Sequence, residues 1–229
     1  MRVLAIRGEN LASLDGPFAV DLTGDPLGRA GLFAITGPTG SGKSTLLDAL
    51  CLALYDTTPR LDGRGGEEVG AAGAPPELRI RALDVRGMLR RGRGAGFAEV
   101  DFVGADGRSY RARWSVRRAR LRPDGALQAQ EMQLVALDPE PGAPIGRTKT
   151  EVLAAIEERV GLTFAQFRRS ALLAQGDFAA FLHAPSDERA TLLERMTGTE
   201  IYGRLSEAAH VRARDERGRL RVGAAIGVN

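Results

Sequence analysis

The chain has 229 residues, 32 Lys or Arg against 29 Asp or Glu, a net charge of +3 and 43% hydrophobic residues. That is enough for one large domain or two small ones, with the composition of a folded protein rather than a disordered one. No apolar run approaches the ~20 residues that a membrane-spanning helix needs, the first residues lack the apolar core and cleavage site of a signal peptide, and the single cysteine cannot close an internal disulfide; a cytoplasmic protein with no membrane partner is expected.

In chain order, residues 2–7 read as a strand, Asp15, Gly16 and Pro17 as a turn, and residues 18–22 as a second strand. The apolar run 32–35 reads as a short buried strand. It leads into Gly37, Pro38, Thr39, Gly40, Ser41, Gly42, Lys43 and Ser44, which spell the phosphate-binding P-loop. Glycines let successive backbone N–H groups turn toward phosphate oxygens, the lysine reaches the β- and γ-phosphates, and the hydroxyl of Ser44 suits Mg²⁺. Residues 45–54 then read as a helix whose N-terminus favours an anion, with Cys51 on it as a structural thiol. Lys43 and Lys149 are the only lysines in an otherwise arginine-based basic set, and a compact ammonium suits the P-loop better than a planar guanidinium. Residues 55–77 are rich in Gly and Pro and read as a long loop.

Residues 97–103, 109–116 and 132–137 alternate apolar and polar and are separated by the turn signals Asp106-Gly107 and Pro123-Asp124-Gly125. They predict an antiparallel β-meander with an Arg-rich face on its middle strand and flanks. Between Arg79 and Arg122 there are 13 Arg against Asp84, Glu99, Asp101 and Asp106, a local charge of +9. Such a segment can neutralise nucleic-acid phosphates without reading sequence; a solvated sheet face is the alternative. After Gly146 the pattern becomes helical, with Thr148 or Thr150 capping 151–160 and Gly161 ending it. Further helices are expected over 164–174, 187–196 and about 199–217, with Gln175-Gly176-Asp177 as an interruption.

Four stretches carry a family resemblance: Asn10 to Leu14, Gly31 to Thr45, Asp48 to Tyr55 with Thr58 to Leu61, and Phe167 to Gly203, including Leu172 to Leu182 and Leu192 to Tyr202. On these residues the chain resembles the N-terminal lobe of the SbcC family, the SMC-like, ABC-type ATPase subunits of SbcCD exonucleases. The resemblance implies an α/β P-loop NTPase fold. Residues 1–203 would form the N-terminal lobe of an ABC-type ATPase head, with the P-loop at 37–45, the β-meander at about 97–138 and a helical part at about 148–203. Residues 204–229 would be the start of a truncated coiled-coil arm and an irregular tail. ATP and Mg²⁺ are the implied cofactors. The cofactor-binding set is Gly37, Pro38, Thr39, Gly40, Ser41, Gly42, Lys43, Ser44 and Thr45. The metal set is Ser44 with Gln175, and the catalytic set is Lys43 with Gln175, the match to the Q-loop glutamine that contacts Mg²⁺ and the attacking water. Arg7 and Asn10 are weaker candidates near the nucleotide.

The implied partners are the C-terminal lobe of SbcC, a second SbcC head in a homodimer, the SbcD nuclease and double-stranded DNA, whose access to SbcD ATP-driven head closure would gate. The family's Walker B aspartate, catalytic glutamate and signature loop belong to the C-terminal lobe, so this chain alone is expected to bind ATP without hydrolysing it. The competing expectation is a free-standing P-loop kinase or NTPase with Asp138, after the apolar run 134–137, as its Walker B acid.

Overall fold

A computed structural model describes residues 1–30, 33–61, 68–69, 80–81, 83–138, 142–170 and 209–214. Two compact units divide the chain, Met1–Phe164 and Ala165–Asn229. Gln175, the expected helices beyond residue 170 and most of the presumed arm lie outside the described residues, apart from a helical stretch at 209–214.

The first unit is built on strands β1 (Arg2–Leu11), β2 (Leu14–Asp21), β5 (Ala95–Val103), β6 (Ser109–Arg117) and β7 (Glu131–Ala136). They form one antiparallel sheet in the order β2-β1-β5-β6-β7. Strands β3 (Glu68–Val69) and β4 (Ile80–Arg81) pair separately. The period-two alternation of the meander resolves into two faces. Ala98, Val100 and Phe102 of β5, Tyr110, Ala112, Trp114 and Val116 of β6, and Met132 and Leu134 of β7 are buried on the inner face. Each large side chain fully buried there contributes roughly 1.5–3 kcal/mol of transfer free energy.

Helix α1 (Lys43–Tyr55) packs on this face against β1, β5 and β6, while α2 (Lys149–Val160) packs against β7 and α1. Along α1 every residue from Asp48 to Tyr55 is buried. A helix apolar on all sides needs cover on all sides; the sheet supplies one part and α2 another. The start of α2 is a capping box, with Thr148 Oγ1 accepting from Glu151 N and Glu151 Oε2 accepting from Thr148 N, and Gly161 closes it in a left-handed conformation. A third helix, α3 (Phe164–Ser170), follows.

Two expectations need correction. The first hairpin turns at residues 12–13, not at Asp15-Gly16-Pro17, so β1 is longer and β2 begins earlier than the sequence suggests. Strand β2 can carry Pro17 because it lies at the sheet edge. The run before the P-loop is not a buried strand over its described residues: 33–36 have no regular structure, and Phe33 and Ile35 are 47% and 45% exposed. A strand needs a neighbour for its N–H and C=O groups, and no described strand pairs with this segment.

Candidate functional site

The P-loop emerges from the exposed segment 33–41 and runs directly into α1. Gly42 is the N-cap, left-handed at φ 94°, and Lys43 is the first helical residue. Gly40 also has positive φ, 85°, so the loop coils tightly before the helix opens, as glycine alone permits cheaply. Ser41 N donates to Pro38 O at 3.2 Å, closing a turn. The Lys43 ammonium curls back over the loop, donating to Gly37 O at 2.6 Å and Pro38 O at 2.8 Å. The Ser44 side chain is exposed and bonds to no described residue. Thr45, in contrast, is buried, and its hydroxyl shares a 2.9 Å hydrogen bond with Ser13 Oγ.

That bond exposes a support that the sequence did not reveal. The turn between β1 and β2 props the P-loop from below: a Cβ on Gly42 would collide with the Leu14 side chain. Arg90 fixes the turn, its Nη1 donating to Ala12 O and to Ser13 O, each at 3.0 Å. Ala12 N donates to Met88 O at 2.8 Å. Asn10, one of the weaker candidates near the nucleotide, is a buried brace, its Oδ1 accepting from Gly16 N and its Nδ2 donating to Ala95 O. The Asn10–Leu14 motif was visible in the sequence. Its partner Arg90, 77 residues from Ser13, was not.

Arg7, the other weaker candidate, is also tied into the sheet. On the outer face Arg7 pairs with Glu99 and Asp101 at 3.3 and 2.8 Å, Arg111 grips Asp101 with two bonds of 2.6 and 2.8 Å, and Arg113 bonds Glu99 at 2.9 Å. The middle strand therefore does not present the open Arg-rich face that its sequence suggests. Burial acts against the Asp101 carboxylate, but hydrogen bonds from Arg111 and Arg7 outweigh it and hold its pKa below the usual range.

Asp138 lies two residues past β7, an edge strand that packs on α2; its Oδ2 accepts from Ser109 N at 2.9 Å, and hydrogen bonds from Ser109, its hydroxyl first and then its N–H, hold the carboxyl below its ordinary value. Its carboxylate thus closes the β6–β7 ladder, as a meander strand ending in a turn would require.

Within α1, buried Asp48 meets Arg60 Nη2 at 2.6 Å, a close charge contact not aligned as a hydrogen bond. Desolvation raises the Asp48 carboxyl to about 6, Arg60 opposing the rise. Cys51 is fully buried, and desolvation together with Asp48 pushes its thiol up to about 12, so it is inert, as expected. At the far end of α1, Asp56 Oδ1 accepts from Trp114 Nε1 at 2.7 Å and Oδ2 from Gln130 and Lys149 at 3.0 and 2.9 Å.

Beside the P-loop end lies an apolar groove of about 520 Å³, lined among others by Leu4, Val20, Leu27, Phe33, Ile35 and Leu47. Among the described residues no helix is long and apolar enough to cross a membrane.

Comparison with known proteins matches residues 5–210 to the AAA domain family. The chain is 51% identical over 215 residues to the SbcC subunit of the SbcCD nuclease of Pseudomonas aeruginosa, covering 93% of this chain and 17% of that protein. It is 49% identical over 208 residues to the SbcC protein of Rhodobacter capsulatus, covering 90% and 16%. With the DNA double-strand break repair Rad50 ATPase of Methanopyrus kandleri it shares 26% identity over 185 residues, covering 80% and 18%. The chain spans about a sixth of the length of these curated relatives.

Proposed function

The chain belongs to the AAA-domain family of P-loop ATPases, and from that premise we propose that it is the ATP-binding N-terminal half of a DNA-repair ATPase head. Its homologues are SbcC- and Rad50-type DNA-repair ATPase subunits. The observation that carries the reading is the P-loop opening α1 with Lys43 as the first helical residue. Backbone N–H groups of the loop and the positive end of the helix would hold the phosphates. Gly37, Pro38, Thr39, Gly40, Ser41, Gly42 and Thr45 shape that cradle. Lys43 would exchange the carbonyls of Gly37 and Pro38 for the β- and γ-phosphates, a stronger, charge-assisted contact. The free hydroxyl of Ser44 fits Mg²⁺, which supplies charge neutralisation at the phosphates when bound. Gln175 is assigned as the second metal contact and as the residue that orients the attacking water.

The apolar groove beside the P-loop and the exposed Phe33 and Ile35 support a further lobe covering this side. We assign that lobe to the C-terminal part of an SbcC-like protein, which would also bring the acids of hydrolysis. This chain alone then binds ATP without turning it over. In the assembled protein two heads would close over nucleotide and gate access of duplex DNA to the SbcD nuclease, a population shift set by differential affinity for the closed pair. Its place is the cytoplasm, with its DNA and nuclease partners.

The test is ATP binding and turnover by the chain, with Lys43→Ala as control. Binding abolished by the substitution, without turnover, is the expected result. Turnover abolished by the same substitution would show a complete site within this chain. Binding indifferent to Lys43→Ala would overturn the assignment of the P-loop.

A further inference from the structure

The outer face of the sheet changes character along β5 and β6. In the middle, Arg7, Arg111 and Arg113 are matched to Glu99 and Asp101. At the end where β5 begins and β6 finishes there is an open concavity of about 310 Å³. Phe97 forms its floor, with the Arg113 guanidinium carbon 3.8 Å from the ring centroid. Arg117 and Leu121 form the rim, and Glu9 and Glu131 stand at the sides.

Two loops meet at this rim. Arg118 N donates to Gly94 O at 2.7 Å, and a Cβ on Gly94 would collide with the backbone of Leu121. The loops carry Arg91 and Arg120 and the end of β6 carries Arg117, all exposed and none paired with a carboxylate among the described residues. Their neighbours Arg93 and Arg122 are held by Asp15 and Asp124. Arg120 and Leu121 are both left-handed, each at φ 56°. Two consecutive non-glycine residues in that region are strained, and such strain concentrates at functional sites. Leu121 stands 62% exposed there.

We infer that this end of the sheet binds single-stranded nucleic acid, stacking an unpaired base on the Arg113–Phe97 platform and neutralising the flanking phosphates with Arg91, Arg117 and Arg120. Unpaired bases stack on aromatic rings and on guanidinium planes, and the stacking tolerates any base because each has a π-face. The two glutamates can accept from exocyclic amino groups. A duplex hides its base faces, so the platform and the apolar rim would be idle against one. The inference rests on the reading that this chain works on DNA.

The experiment titrates the chain into a fluorescent short oligothymidylate, an abasic strand of the same length and a blunt duplex, between about 50 and 200 mM salt. The thymidylate should bind roughly tenfold tighter than either of the others, about what one stacked base supplies. Arg113→Lys keeps the charge and removes the plane; it should abolish most of that preference and leave the salt dependence unchanged, as should Phe97→Ala if it folds. Replacing Arg91, Arg117 and Arg120 with Gln should lower the log–log salt slope by about 2, near 0.7 per phosphate for a single strand. Equal binding of duplex and strand, an unchanged preference in Arg113→Lys, an unchanged slope in the triple variant, or no binding of any of the three nucleic acids would each overturn the inference. Lys43-dependent ATP binding on the same preparations separates the two proposals: if it persists, the nucleotide reading stands while the strand site fails, and if it is absent while the strand pattern holds, the reverse is true.

Discussion

The two ends of α1 are built on opposite plans. At its C-terminus, Asp56 gathers Trp114 from β6, Gln130 from the approach to β7 and Lys149 from α2, while Tyr55 donates to Leu162 O and lies 5.5 Å from the Phe164 ring. At its N-terminus the preceding residues 33–41 are exposed, no described strand pairs with them, and an apolar groove lies alongside. One end is fixed by side-chain hydrogen bonds from three directions. Among the described residues, the other is propped from below by Ser13 and Leu14. A loop that must rearrange around phosphates can tolerate such loose support only if the rest of its helix is anchored, because local opening draws on the least-packed region first.

The sharpest way to break that contrast is at the anchored end. Asp56→Ala removes the acceptor for a buried indole N–H and for two other donors, and should cost about 3 kcal/mol in urea unfolding, the range for a buried polar partner left alone. Asp56→Asn keeps an acceptor for Trp114 and tolerates the left-handed backbone at φ 53°, so about 1 kcal/mol is expected. Equal losses from the two would mean that the backbone, not the network, anchors the helix.

The anchored end was hard to read in the sequence; at the open end the P-loop was legible and the segment before it was not. The P-loop, the meander and a threonine cap at 148 or 150 are local patterns: a glycine spacing, an alternation with turn signals, a threonine just ahead of a helical run; the structure decides for Thr148 and adds Glu151 as its partner. Asp56 was one acid in a loop, and its partners lie 58, 74 and 93 residues away. The same holds on the outer face, where Arg7 finds its carboxylates 92 and 94 residues along the chain. Counting charge over 79–122 captured the excess of arginine but not which arginines sit opposite Glu99 and Asp101, since register decides that. The run before the P-loop failed for a related reason. Its apolar character was legible, but a strand also needs a partner, and apolarity does not supply one.

Between the two ends, Asp48 offers a pH-dependent probe. Its folded carboxyl is raised to about 6 from 3.8, so the folded state holds the proton more tightly. Its contribution is stabilising below the unfolded value and is lost as pH rises through about 6. Relative to Asp48→Asn, the wild type should therefore gain stability on acidification from about pH 7.5 to about 4.5. The full shift corresponds to about 3 kcal/mol; because the window ends above the unfolded value of 3.8, a gain of about 2 kcal/mol is expected. Asp101 has the opposite sign, its lowered pKa giving stability that is lost on acidification, which is why the comparison is made between the two chains rather than on the wild type alone. A difference that does not change with pH would show that Asp48 stays ionised throughout.

The smallest effect is expected at the open end. Replacing Phe33 and Ile35 with Ser should change unfolding stability by no more than about 0.5 kcal/mol, since both side chains are about half exposed and surface changes away from packed features stay in that range. The same pair should reduce self-association at high concentration, measured by sedimentation, because it removes apolar surface along the groove. Together these outcomes separate a surface that awaits a covering lobe from a core already closed. A covering surface is silent in the isolated chain's stability and visible in its association. A loss of 2 kcal/mol or more, without change in association, would place the segment in the core as the buried strand its sequence suggests, and the contrast between the two ends of α1 would collapse.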